Sequence, residues 1–178
     1  MDLKNLRVRV KHTNLASAAK ANFLYAKALK ALQMRSSQEA IELLNKSKKR
    51  FQIALRSDPK NPDLLRGIAL IHYKLTEFSQ LQGKNMANVS FSPYDPKVAE
   101  TDQSFLRALE ANPNDPNTLH HYARFKIRCN LFEPAEKLFL AALEIDPNNS
   151  MILKAYGFFL SEMGEVCFFL LFLAFLSY

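Results

Sequence analysis

Apolar residues recur along the chain in stripes at helical spacing, separated by polar clusters that hold most of the prolines. Ahead of each major cluster the same pattern appears, Phe-x-x-Ala-Leu-x-x-(Asp/Asn)-Pro. It begins at Phe51, Phe105 and Phe139, and ends at Pro59, Pro113 and Pro147. The last two copies are 34 residues apart. The first two are 54 apart, as are Pro62 and Pro116, which amounts to the same period plus an insertion of 20 residues. A second stretch follows in register: Leu65, Ile68 and Ala69, then Leu119, Tyr122 and Ala123, then Leu153, Tyr156 and Gly157. A large residue followed one turn later by a large and a small one puts a bulky knob and a point of close approach on one helix face. Ala135, Leu138, Phe139, Ala142 and Leu143 give the next helix a matching stripe.

These patterns predict paired helices. In the first pair they run over roughly 14–34 and 38–57. The division that follows is a basic N-terminal extension over 1–13, a stretched first hairpin over 14–61 and a second hairpin over 62–115 with an insertion over 77–96. A third hairpin covers 116–149, the first helix of a fourth covers 150–165, and an apolar tail covers 166–178. The insertion carries Gly83, Pro93 and Pro96 with several Asn and Ser, a composition that predicts a surface excursion.

The period of 34 and the pattern Ala135-x3-Phe139-x2-Ala142-x4-Pro147 resemble the tetratricopeptide repeat (TPR) family, most specifically over 116–150, with an interruption over 62–113 and partially at both ends. The sequence departs from the family pattern at Thr101, where an alanine is usual, at Lys126, on a stripe expected to be apolar, and at Pro134, in the first turn of its helix. The resemblance implies an all-α, right-handed helical solenoid of about three and a half helix-turn-helix hairpins. It also implies a concave wall, lined by the first helix of each pair, that binds extended peptides. The positions it assigns to that wall are Arg66, Leu70, Tyr73 and Lys74, then His120, Arg124 and Ile127, then Lys154 and Phe158. Arg66, His120 and Lys154 fall at equivalent places and form a cationic ladder suited to an acidic segment or a carboxylate. The Lys and Asn pairs of the carboxylate-clamp TPRs are absent: Arg66 stands with Leu70, and His120 with Arg124.

Composition narrows the chemistry. No two of the 4 glycines lie close together, which excludes a P-loop and a dinucleotide fingerprint. Residues 1–60 hold 14 Lys and Arg against four acids, a net of +10, and the remainder carries −3, so the whole +7 comes from the first third. The basic run Lys46, Lys48, Lys49, Arg50 lies in a predicted helix without interleaved aromatics, which disfavours nucleic acid. His120 and His121 point about 100° apart on a helix and do not share a metal ion readily. Cys129, beside a predicted turn, reads as a packing residue, and 2 cysteines with no close pair along the sequence point to a reducing, cytoplasmic setting. No catalytic group, cofactor or small-molecule site emerges. The expected function is a non-catalytic scaffold or adaptor that holds another protein or peptide, acidic segments included, in the groove. Two alternatives stay open, both resting on the apolar stretch 166–176: a membrane-associated TPR protein that uses it as an attachment, or a fragment of a larger repeat protein.

Overall fold

The computed structural model describes the backbone of residues 3–34, 36–80 and 90–176, and the side chains of 15–34, 36–80 and 90–164. Seven helices and no strand occur among the described residues: α1 (Leu3–Gln33), α2 (Ser37–Leu55), α3 (Pro62–Gln80), α4 (Pro96–Ala111), α5 (Pro116–Arg128), α6 (Phe132–Ile145) and α7 (Ser150–Leu176). They form two compact units, residues 1–113 with 128–130, and residues 114–127 with 131–178. Insertion residues 81–89 and the side chains of the expected N-terminal extension and C-terminal tail lie outside the described residues.

In the first unit α1 packs on α2, α2 on α3, and α3 on α4. Helix α1 starts well before the expected residue 14, because neither proline nor glycine occurs before Pro59 to break it. Ala21, Ala28 and Ala31 of α1 are buried together with Ala40 of α2, and these short side chains let the two backbones approach. The buried Ser47 hydroxyl donates to the Ala21 carbonyl at 2.8 Å, which satisfies this buried polar group. Between α2 and α3 the Phe51 ring lies directly over Gly67: a Cβ there would stand 2.5 Å from the ring tip. Gly67 is thus the seat of the first conserved-pattern phenylalanine.

Helices α3 and α4 meet through Tyr73 and Phe105, whose rings are edge-on at 6.3 Å, and through two threonines. Thr101, the departure from the repeat pattern, is buried, with its hydroxyl 2.9 Å from that of Thr76 and donating to the Lys97 carbonyl at 2.8 Å. A hydroxyl fits here because a second one faces it. The insertion is anchored at both described ends. Gln80 donates to Asp95, and Asp95 caps α4 by accepting from the Lys97 N–H at 2.7 Å, with Pro96 in the first turn. Phe91 is buried rather than part of a surface excursion; its N–H donates to the Arg128 carbonyl and its ring is edge-on to Tyr73 at 6.2 Å.

In the second unit Phe139 of α6 is the centre, fully buried beneath Tyr156 (5.5 Å between ring centres), Phe159 (5.9 Å) and His120 (6.2 Å). The α5–α6 turn places Asn130 at φ 58°, and the Leu131 N–H reaches back to the Lys126 carbonyl at 2.9 Å, a left-handed helix ending. Lys126 keeps its place on an aromatic stripe by setting its ammonium over the Tyr122 ring, 4.8 Å from the centre. Helix α7 runs on through Gly164, where the repeat period calls for a turn. Residues 165–176 contain neither Gly nor Pro, and a lone glycine without turn residues after it does not end a helix.

The polar clusters carry a repeated hydrogen-bond device. Asn61 donates to Asp58 at 2.9 Å and caps α3 by accepting from the Leu64 N–H. Asn149 likewise donates to Asp146 at 2.8 Å and caps α7 by accepting from Met151 and Ile152. Asp115 caps α5 by accepting from the Asn117 N–H and the Thr118 hydroxyl. The three caps stand three residues after each (Asp/Asn) of the repeat pattern, so the turn chemistry repeats along with the core.

Candidate functional site

Helix α3 supplies four of the expected wall residues. Arg66 is half-buried and donates to Asp63 of its own helix at 2.7 Å. Lys74 donates to Glu77 at 2.6 Å and sits 5.5 Å from the centre of the Tyr73 ring. Acids one turn away therefore share both cations. Leu70 is half-buried. Tyr73 is a correction: it is buried against Phe91 and Phe105 and belongs to the core, because the aromatic of the insertion closes over it.

In the second unit the cations differ in kind. Arg124 of α5 and Lys154 of α7 are exposed, and Phe158 stands 67% exposed on α7. Ile127 is half-buried. His120 is the second correction, since it is 1% exposed, between the His121 ring at 4.6 Å and Phe139. Its Nδ1 has no hydrogen-bond partner. Burial lowers its pKa to about 4, with the Arg124 charge adding to the effect. A neutral, buried imidazole is not a rung of a cationic ladder, and the sequence offered no sign of this because His120 shares its helix position with the surface residues Arg66 and Lys154.

One further constellation lies in the first unit, which the sequence did not reveal because its members come from three helices. His72 Nδ1 is 2.7 Å from the Ser104 hydroxyl, His72 Nε2 is 3.4 Å from Glu100, and Glu100 pairs with Lys48 at 3.3 Å. Ser104 spends its proton on the Glu100 backbone carbonyl at 2.7 Å, so His72 must donate to it rather than accept from it. The arrangement does not activate a serine nucleophile. Burial lowers the pKa of His72, as does Lys48 nearby, while Glu100 acts in the opposite direction. Among the described residues no group of three His, Cys, Asp or Glu could hold a metal ion, and no helix is long and apolar enough to cross a membrane.

A tetratricopeptide repeat family model matches residues 138–166, from the middle of α6 into α7. The backbone is similar to several solved structures. The first TPR of Spaghetti (RPAP3), bound to the HSP90 peptide SRMEEVD, is 19% identical at a TM-score of 0.50, over 83% of this chain and 98% of that one. The fold is that of the tetratricopeptide repeat. The TPR domain of Arabidopsis OM64 is 12% identical at a TM-score of 0.52, over 82% and 98% of the two chains. The Yersinia enterocolitica type III secretion chaperone SycD, in complex with a peptide of the translocator YopD, is 14% identical at a TM-score of 0.50, over 83% and 92%. No curated protein matches the sequence. The TPR assignment makes sense of the repeated stripes: the small residues Ala69 and Ala123 are both fully buried, where the period puts the contact between paired helices.

Proposed function

We propose that this TPR chain is a non-catalytic adaptor that binds a segment of another protein, with acidic character in the segment. The observation that carries the reading is the pair of exposed cations Arg124 and Lys154, accompanied on α7 by the exposed Phe158. Peptide binding by the similar TPR structures, one with the acidic SRMEEVD and one with a translocator segment, supports it. Arg66 and Lys74 contribute less, because each would have to leave an acid on its own helix before pairing with a ligand. The absence of the clamp asparagines argues for general charge and apolar complementarity rather than the carboxylate-clamp geometry. Cys129 forms no disulfide, which is compatible with a cytoplasmic setting.

The test is fluorescence anisotropy with a labelled acidic peptide and an uncharged peptide of the same length. The acidic peptide binds more tightly, and Arg124→Glu combined with Lys154→Glu weakens it at least tenfold without changing the circular dichroism spectrum. Phe158→Ala weakens both peptides. Equal affinity of the charge-reversed variant for the acidic peptide would remove these cations as its binding site.

A further inference from the structure

Among the described residues, nothing covers the face of α7 that bears Leu153, Gly157, Leu160 and Gly164. At the equivalent face of α5, Leu119 and Ala123 are buried. At that of α3, Leu65 and Ala69 are buried, and α4 lies against the helix. On α7 the equivalents Leu153 and Gly157 remain open, Leu153 being 47% exposed, and so do the next two residues of the stripe: Leu160 is 45% exposed, and a Cβ added at Gly157 or Gly164 would meet nothing within 4 Å. Tyr156 and Phe159 turn to the adjoining side of the helix, against Phe139, and leave this stripe uncovered by α6.

The spacing is 4, 3, 4, which keeps the four residues on one side of the helix. Their order is large, small, large, small. When two copies of such a stripe run antiparallel about a two-fold axis midway between residues 157 and 160, Leu153 of one copy lies opposite Gly164 of the other, and Leu160 opposite Gly157. Every leucine then meets a glycine, and the face is complementary to itself, as a two-fold interface requires. The stripe carries no charge. Residues 165–176 do not fold back onto this face, because α7 passes Gly164 without a turn and runs to Leu176.

We propose that α7 pairs with α7 of a second copy in this antiparallel register, which supplies the hairpin partner that α3 and α5 already have. The overlapping segments, roughly 150–167, are about 27 Å long on a helix about 10 Å across. That is short of the roughly 800 Å² per partner of a standard interface, so the pair is a weak, transient one.

Sedimentation equilibrium of the full chain over a concentration series reads the association. The wild type is a monomer–dimer mixture. Gly157→Leu fills the notch that receives Leu160 and weakens dimerisation at least tenfold, although it makes the surface more apolar. Adding Leu160→Ala to Gly157→Leu exchanges large for small across the axis and brings the dissociation constant back to within about threefold of wild type. A wild type that stays monomeric to a few hundred micromolar overturns the pairing, whatever other helix occupies the face. Association that is unchanged or strengthened by Gly157→Leu overturns it too, since that is the signature of unspecific apolar contact. Failure of peptide binding leaves this result untouched, because the two rest on different faces of α7.

Discussion

At Gly67 the Phe51 ring occupies the space that any side chain would need, and at Gly157 the space is empty, so one substitution has opposite effects at the two positions. Alanine in place of glycine gains up to about 1 kcal/mol in a helix interior. Gly157→Ala should therefore raise stability by a few tenths to about 1 kcal/mol in dilute solution, as measured by urea melts. At Gly67 the same gain is opposed by a Cβ 2.5 to 2.9 Å from three atoms of a buried ring, and overpacking of that kind costs about 1 to 3 kcal/mol. Gly67→Ala should thus lower stability, and a variant at least as stable as wild type would mean that Phe51 moves aside freely. Histidine sets the acid behaviour. The folded pKa of His120, about 4, lies below the unfolded value of about 6.5, so the unfolded chain binds the extra proton. Stability from this group is fully present above pH 6.5 and declines as pH falls toward 4, by about 3 kcal/mol in all. The depressed pKa of His72 has the same sign. Replacing His120 with Phe should flatten the profile of urea midpoint against pH over this window, whereas an unaltered profile would place the titration elsewhere.

Helix ends and helix contacts govern the next scale. Asn149 accepts from two N–H groups at the start of α7 and is held by Asp146, so Asn149→Ala should cost about 1 kcal/mol and speed amide exchange at Met151 and Ile152 before it affects α5 or α6. Uniform exchange changes throughout the second unit would show that the cap acts globally. Ala142 is fully buried, while Leu143 beside it is only half-buried. Ala142→Phe should lower stability by about 1 to 3 kcal/mol through overpacking, and Leu143→Ala should fall toward the lower end of the roughly 2 to 5 kcal/mol of a core leucine truncation. The opposite ranking, with Ala142→Phe neutral, would argue that α6 is not in close contact at that point.

For the whole molecule, charge is the property that reaches furthest. All of the net +7 comes from residues 1–60, whereas the exposed cations of the proposed site lie in a stretch that is net negative. The attraction of an acidic peptide to Arg124 and Lys154 is local and exposed, and the screening length shrinks from about 10 Å at 0.1 M salt to about 3 Å at 1 M. Raising salt over that range should weaken the acidic peptide severalfold and leave the uncharged one nearly unaffected. Equal salt dependence for both peptides would show that the effect of salt is not the screening of charge attraction to the acidic segment.

The all-α repeat fold was legible in the sequence because its signals are local and recur: a period of 34, apolar stripes at helical spacing, and proline-bearing clusters between them. Short-range contacts dictate those features, so they survive being read one segment at a time. The site was legible only in part. Arg124, Lys154 and Phe158 are exposed as the helix geometry implied, but Tyr73 and His120 stand at the same register and are buried. Exposure depends on what arrives from elsewhere in the chain. Phe91 comes from 18 residues away to cover Tyr73, and Phe139 comes from the following helix to pack on His120. Tertiary packing likewise paired Thr101 with Thr76, seated Phe51 on Gly67 and left the leucines of α7 open. Periodicity tells which face of a helix can be buried, and only the neighbours brought by the fold decide whether it is.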